Sequence, residues 1–382
     1  MIAPASRARS WSSRTTKGKC SSCRPTALAT FSRATPTSTC PCPCRSKCAT
    51  RETRRSCRSR CTAATATTVT AAKTPSARRP GYWPRRLDSS FPTHRDTTMQ
   101  RALVIGATGF IGDHILRALV HKGVEAAAMR RWNSQASSLG GLGVESIVAD
   151  LLDRETLVET LAGFNYVFVA SAPDPSKDEW AYLRESVIGM RNLLAVARDA
   201  DVERVIVTSC ASTIAPPTRG RVSTAADVYL PGTAQSNVVE AQYAVEQECF
   251  RQAADGMDLL ILNPGICIGD GAVLPSRKLL KKVSDDAPIN VVDVDDVARA
   301  HVAASVRQSF GERFVLGGEN TTVGELYARL EPAGPQAARL GRYEVRLSDD
   351  PAEIRHLPLF RQGVWLDNSR AEREFGFRPR SL

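Results

Sequence analysis

No apolar run in this 382-residue chain is long enough to span a bilayer, which excludes a membrane-spanning helix. Acidic side chains are nearly missing from the first 98 residues, where 3 Asp and Glu stand against 20 Lys and Arg, a net charge of +17. The remaining 284 residues carry 37 against 31, a net of −6, so the overall +11 belongs to one segment and not to a folded domain. Residues 1–98 also lack apolar periodicity and are crowded with Ser, Thr, Arg and Pro, which excludes a packed core there and predicts disorder. Cysteine is scarce where the chain can fold. Eight of the eleven lie in 1–98, leaving Cys210, Cys249 and Cys267, a usage that suits a reducing compartment and a cytoplasmic location.

Four readings compete for 1–98. A mitochondrial transit peptide is Arg- and Ser-rich and acid-poor, but the length, the cysteines and the missing amphipathic stripe count against it. A zinc module would draw on the eight cysteines, of which only Cys20 and Cys23 have ligand-like spacing. A basic nucleic-acid tail has the charge but no interleaved aromatics, and no nucleic-acid partner is expected. The favoured expectation is that 1–98 is not part of the natural protein. Met99 directly precedes the first strand, and Arg/Ser/Cys/Thr-rich text is what the wrong frame of a GC-rich gene tends to give. No secretory signal precedes Met99.

What is present starts at residues 102–112, Ala-Leu-Val-Ile-Gly-Ala-Thr-Gly-Phe-Ile-Gly. A short apolar run ends in glycines at 106, 109 and 112, and an apolar-periodic stretch over 111–120 follows at once. That is a strand, a tight turn and a helix start, a turn that brings backbone N–H groups at a helix N-terminus to a pyrophosphate. Gly106 permits the turn, Gly109 lets the backbone approach the phosphates, and Gly112 lets helix and strand pack closely. A plain strand-to-helix turn would not need three glycines at this spacing. Gly106, Thr108, Gly109, Phe110, Ile111 and Gly112 are the first cofactor-binding candidates.

Downstream the pattern alternates. Short strands are expected at 124–129, 145–149, 166–170, 204–208 and 259–262, and helices at 155–161, 178–200 and 237–254. Such alternation implies a parallel sheet covered on both faces. With the glycine turn after the first strand it implies an α/β fold with a doubly wound, Rossmann sheet. After Gly265 the pattern is less regular, with a helix at 295–306, a strand at 313–316 and a helix at 323–330. The expected organisation is a disordered basic extension over 1–98, an NAD(P)-binding domain over 99–264, and over 265–382 mainly a small C-terminal substrate lobe, partly interleaved with the Rossmann sheet. There is no internal repeat.

The order of motifs carries a resemblance. Gly106-Ala-Thr-Gly109-Phe-Ile-Gly112, Ala149-Asp150-Leu151, Arg191-Asn192-Leu193-Leu194, Arg204-Val-Ile-Val-Thr208-Ser209, Leu262-Asn263-Pro264 and Val292-Asp-Val-Asp-Asp-Val-Ala298 resemble an extended short-chain dehydrogenase/reductase of the NAD-dependent epimerase/dehydratase type. Within that family, 292–298 and 314–320 are most similar to the hopanoid-associated sugar epimerases and the dihydroflavonol-reductase-like proteins. Residues 367–371 and 374–379 resemble their closing segment. The resemblance covers essentially all of 99–382. It implies a nicotinamide dinucleotide cofactor, a small-molecule substrate, and a homodimer through the helices at 178–200 and 237–254. It implies that the Asp150 side chain and the Leu151 backbone contact the adenine, although Asp150 as a bare residue is equally a helix N-cap. Ala170 and Ser171 end the fourth strand, where the family's chain passes the nicotinamide ribose. Asn263 and Pro264 complete the cofactor-binding candidates.

Charge selects between the two cofactors. NAD-preferring folds place an acid at the end of the second strand to accept from the ribose 2′-OH. Here that place reads Met129-Arg130-Arg131-Trp132. An acid repels a 2′-phosphate, whereas a guanidinium pairs with it. NADP(H) is therefore expected over NAD(H), with Arg130 and Arg131 as its readers; the competing reading is that the arginines are merely solvated.

The family's chemistry uses a Tyr, a Lys four residues later, and a Ser or Thr after the fifth strand. The Lys lowers the phenol pKa from about 10 toward working pH. No tyrosine in 99–382 has Lys at +4. Aligned on the family pattern, Val238 takes the Tyr position, Gln242 the Lys position and Cys210 the Ser position. Gln242 still hydrogen-bonds a ribose hydroxyl, and Cys210 offers a weak thiol donor or a buried small hydrophobe. Ser209, Ser212 and Thr213 are nearby polar substitutes. Cys210, Gln242 and Ser209 are the catalytic candidates. Tyr243 lies about 140° round the helix from 238 and is expected to pack on the core; Tyr229, in a loop, is the better substitute phenol.

Other polar groups have blander readings. Asp293, Asp295 and Asp296 look like a metal cluster but fit a capped helix start, and no metal is expected. His301 on that helix reads as surface or packed. Arg277, Lys278, Lys281 and Lys282 suit a sugar diphosphate or a solvated helix face. Two functions follow. One is an NAD(P)-binding oxidoreductase or epimerase acting on a carbonyl, hydroxyl or nucleotide-sugar-like substrate, with an atypical site. The other is a non-catalytic NADP(H)-binding sensor or interaction protein.

Overall fold

A computed structural model describes residues 101–382 apart from 135–138, 174–177, 216–221, 235 and 308–309. The readings made for 1–98, and the place of Met99, lie outside the described residues. Strand β1, Arg101–Ile105, turns Leu103 and Ile105 to one face and Ala102 and Val104 to the other, and all four are buried. A strand apolar on both faces needs cover on both, and the chain supplies it by alternating helices and strands. Helix α1 spans Phe110–His121, β2 Glu125–Arg130, β3 Glu145–Val148, α2 Arg154–Leu161 and β4 Tyr166–Val169. There follow α3 Glu179–Asp199, β5 Arg204–Thr208, α4 Asn237–Ala254 and β6 Leu259–Pro264.

These strands and β10, Glu312–Leu316, form one sheet in the order β10-β6-β5-β4-β1-β2-β3. Every pair is parallel. The order reverses between β1 and β4, so the crevice where a doubly wound sheet takes its ligand lies at their C-terminal ends. Ile115, Leu116 and Leu119 of α1 pack on Val104, Ala128 and Phe168. On the other face, Leu157 and Leu161 of α2, Leu193 and Leu194 of α3 and Cys249 of α4 pack on Leu103, Val167 and Ile261.

Beyond β6 the chain builds two small sheets. One holds β7 Ile266–Ile268, β9 Pro288–Asp293 and β11 Glu319–Thr322, in the order β11-β9-β7. The other holds β8 Val273–Pro275, β12 Glu331–Gly334, β13 Ala337–Leu340 and β14 Tyr343–Ser348, in the order β12-β13-β14-β8. Helices α5 Val294–Ser305, α6 Val323–Ala328, α7 Leu357–Gln362 and α8 Ser369–Phe375 complete the chain. A separate apolar cluster with Leu274, Ile289, Val345 and Phe360 fills this part, and it takes in Cys210, Ala211 and Ile214 from just after β5. Conversely, α5 and α8 return to cover the main sheet, where Phe314 and Phe375 meet edge to face at 5.2 Å. The described residues belong to one compact unit. No helix among them is long and apolar enough to cross a membrane.

The structure departs from the sequence reading at three places. The strands at 331–348 carry no counterpart in the sequence reading. Tyr343 and Val345 point inward while Glu344 and Arg346 point out, a period of two that was present but masked by the neighbouring helix pattern. Residues 277–282 form turns, not a helix face. Arg277 pairs with Asp285 at 2.6 Å and Lys278 with Asp349 at 3.1 Å. Finally, α2 is capped by Asp153, which accepts from Glu155 N and Thr156 N, and not by Asp150.

Candidate functional site

At the C-terminal ends of β1 and β4 lies a cleft of about 530 Å³. Its floor is the β1–α1 turn. Gly106 sits at φ +83°, and a Cβ there would stand 2.8 Å from the Ala170 carbonyl oxygen. Gly109 is the N-cap of α1 and offers no side chain to the first turn, which leaves that turn's N–H groups without a side-chain cap. Thr108, Phe110 and Ile111 line the cleft with Gly106 and Gly109. Gly112 does not; it lies behind the turn, where a Cβ would come within 2.1 Å of the Gly106 oxygen.

Arg130 and Arg131 line one end of the cleft. Arg130 Nε donates to Ser146 Oγ at 3.1 Å, and its Nη1 to the carbonyls of Arg131 and Ser134 at 3.3 and 3.4 Å. The guanidinium is thus held at the wall by neutral acceptors, with no carboxylate among the described residues consuming its charge. Asp150 and Leu151 line the adjoining wall. Asp150 Oδ1 accepts from Leu152 N at 2.9 Å, and the Leu151 carbonyl accepts from Asn192 Nδ2 at 3.0 Å. Ala170 and Ser171 stand at the middle, and the Ser171 hydroxyl is buried without a hydrogen-bond partner among the described residues.

The catalytic candidates meet at the far end. Cys210, Gln242 and Ser209 all line the cleft, as does Pro264. Ser209 is turned inward, donating to Glu246 Oε1 at 2.5 Å. Glu246 is fully buried and also receives Thr213 Oγ1 at 2.6 Å, Asn263 Nδ2 at 2.6 Å and Arg313 Nη1 at 3.2 Å. Asn263 is itself fully buried and lies outside the cleft lining; its Nδ2 also donates to the Cys210 carbonyl at 3.1 Å. Asn263 therefore braces the turn after β5 from beneath. Gln242 Oε1 accepts from Ser212 Oγ at 3.2 Å, which fixes its amide so that the NH₂ is the end left to donate. Burial pushes the Cys210 thiol up, partly offset by hydrogen bonds from Ser212, so it is a thiol and not a thiolate at neutral pH.

Val238 does not line the cleft. Neither substitute phenol reaches it: Tyr229 donates to Glu240 Oε1 at 2.6 Å and stacks on Tyr243 at 5.3 Å. His301 is fully buried between Thr208 Oγ1 and the Val297 carbonyl, each 2.8 Å away, and burial lowers its pKa to about 4. Asp293 caps α5 through Asp295 N and pairs with Arg342 and Arg380. Asp295 meets His114, and Asp296 meets Arg299 and Arg380. Among the described residues no group of His, Cys, Asp and Glu is arranged to hold a metal.

Sequence reasoning missed one wall. Tyr182, Glu185, Ser186 and Met190 of α3 line the cleft, and so do Cys267, Glu353, Arg355 and His356. The first set left a signal, since 182, 186 and 190 are spaced i, i+4, i+8 on one helix face. The second is brought in by tertiary folding of the C-terminal segment. His356 Nε2 is buried and has no partner among the described residues, and burial lowers that ring's pKa to about 4.

The profile of the NAD dependent epimerase/dehydratase family matches residues 102–317. "Sterol demethylase protein B" of Methylococcus capsulatus is 29% identical over 310 residues, 73% of this chain and 94% of that protein. The human "Sterol-4-alpha-carboxylate 3-dehydrogenase, decarboxylating" is 32% identical over 116 residues, 30% of each chain. Among solved structures, the UDP-glucose 4-epimerase of Thermus thermophilus in complex with NAD superposes with a TM-score of 0.58. Its identity is 20%, over 74% of this chain and 95% of that one.

Proposed function

The chain belongs to the NAD dependent epimerase/dehydratase family, and from that premise we propose that it is an NADP(H)-dependent oxidoreductase or epimerase acting on a carbonyl, hydroxyl or nucleotide-sugar-like substrate. The observation that carries the reading is a single cleft joining an uncapped helix N-terminus behind Gly109, an arginine pair at the end of β2 and a buried, unpartnered Ser171 hydroxyl. These fit a dinucleotide. The first-turn N–H groups suit a pyrophosphate, Arg130 and Arg131 suit a 2′-phosphate, and Asp150 with Leu151 suits an adenine. Ala170, Ser171, Gln242 and Pro264 would hold the nicotinamide half, with the Gln242 NH₂ donating to a ribose hydroxyl. Gly112 and Asn263 act from behind, one by letting α1 close on the turn and the other by bracing Cys210. When bound, the cofactor would supply hydride transfer. A cytoplasmic location is part of the proposal, on the three cysteines of the described residues, all of them unpaired there.

The missing Tyr-x-x-x-Lys favours a second reading, a non-catalytic NADP(H)-binding protein. The two are separated by rescue: Cys210→Ser, Val238→Tyr and Gln242→Lys together create activity only if the site is vestigial. The first test is calorimetric titration of the full chain with NADPH and, separately, NADH. Tighter binding of NADPH is expected; equal affinities would reject the arginine assignment, and no binding of either would reject the cofactor reading.

A further inference from the structure

Although α4 lacks the family's proton-handling tyrosine, a phenol does stand in the cleft. Tyr182 is 3% exposed, lines the cleft from α3, and its hydroxyl finds no hydrogen-bond partner among the described residues. The other phenols of the described residues are engaged elsewhere. Tyr229 and Tyr243 stack on each other, Tyr327 donates to the Pro275 carbonyl, Tyr343 donates to Asp293 at 2.5 Å, and Tyr166 is built into β4. Across from Tyr182 lie Cys210, in the family's serine position, and Arg355, an exposed cation with no ion-pair partner among the described residues.

We infer that Tyr182 is the proton-transferring residue of this cleft, with Arg355 as the cation that stabilises its phenolate. A tyrosine from α3 and an arginine from the C-terminal segment would thus do what the family does with two residues of one helix. The inference rests on the oxidoreductase reading above. In the direction of reduction, the Tyr182 O–H bond breaks as a new O–H bond forms on the substrate's carbonyl oxygen. The carbonyl carbon would take the hydride, with its electron pair, that a bound reduced nicotinamide supplies, leaving the nicotinamide oxidised. The phenolate regains its proton from water at the cleft mouth. The competing groups fit less well. Cys210 is packed into the apolar cluster of the C-terminal part, and His356, its pKa lowered by burial to about 4, is a neutral imidazole at neutral pH. Burial raises the Tyr182 phenol while the Arg355 charge pulls it back. The charged and titratable groups facing it are Glu185 on its own helix, Cys210 after β5, Cys267 of β7, and Glu353, Arg355 and His356.

The test is carbon NMR of the full chain carrying Cζ-labelled tyrosine, followed from about pH 8 to about pH 11 with and without NADP⁺. Tyr182→Phe assigns the resonance. A cationic nicotinamide beside the phenol is expected to lower its pKa by about one unit or more, and Arg355→Met to raise it again. Calorimetry with NADP⁺ on the same samples separates the outcomes. Absence of binding overturns the cofactor reading and this inference with it. Binding that leaves the Tyr182 titration in place overturns this inference alone. If Tyr182→Phe does not fold, Arg355→Met supplies the assignment, because loss of that cation moves the Tyr182 resonance most.

Discussion

A methyl group at position 112 would have to share space with the Gly106 carbonyl, 2.1 Å from its oxygen. The neighbour is backbone and cannot turn aside, so Gly112→Ala is expected to push α1 off β1. It should destabilise the fold by about 2 kcal/mol or more and weaken NADPH binding; a urea titration showing wild-type stability would contradict this. Arg130→Asp and Arg131→Asp act on the ligand instead. On the proposed NADP(H) reading each would remove a charge-assisted contact to a 2′-phosphate, so NADPH affinity should fall roughly tenfold or more while NADH affinity holds, read by parallel calorimetric titrations. The positions of these residues were legible in the sequence because they are set locally. A glycine turn and the residue ending the next strand need no knowledge of the tertiary fold. Ser209 was not legible in this way, since only the folded chain shows its hydroxyl spent on Glu246.

Between elements, buried charge does the joining. Arg313 reaches from β10 to Glu246 on α4, and also donates to the carbonyls of Ala225 and Asp227 at 2.7 and 2.8 Å. Arg313→Met would leave the Glu246 carboxylate buried with neutral partners only, at a cost of about 3–5 kcal/mol. Chemical denaturation tests this, and a loss below about 1 kcal/mol would show the pair to be dispensable. His301 ties α5 to β5. Its Nδ1–H donates to Val297 and its Nε2 accepts from Thr208, so the ring is neutral in the fold. Its folded pKa, about 4, lies below the ordinary 6.5. The unfolded chain therefore binds the proton more readily, and the contribution is complete above pH 6.5 and is lost as pH falls from 6.5 toward 4. Stability should drop by about 2 kcal/mol between pH 7 and pH 5 on this account, and His301→Gln should flatten that slope in urea midpoints. The main elements up to β6 were readable because strand and helix periods alternate cleanly. The cleft wall at Glu353, Arg355 and His356 was not, because it belongs to no periodic segment and is assembled only when 351–357 folds over the cleft.

At the scale of the whole molecule, the two halves proposed from sequence share their interiors. The turn after β5 lies in the core of the C-terminal part, while α5, β10 and α8 complete the main sheet. One calorimetric transition is therefore expected for the described residues, with equal calorimetric and van't Hoff enthalpies; two resolved transitions would show separate domains. Phe375→Ala should lower that single transition by removing about 3–5 kcal/mol of packing from the sheet. The place of β10 has a consequence for biosynthesis. The edge of β6 acquires its neighbour only after the chain has run through β7, β8, β9 and α5, and Phe375 and Phe377 cover that face later still. On the ribosome, a nearly finished chain would thus carry an open strand edge beside an apolar surface, the combination that invites association between nascent chains. Premature termination upstream of Phe375 should yield aggregates that chaperones hold, rather than a shortened enzyme.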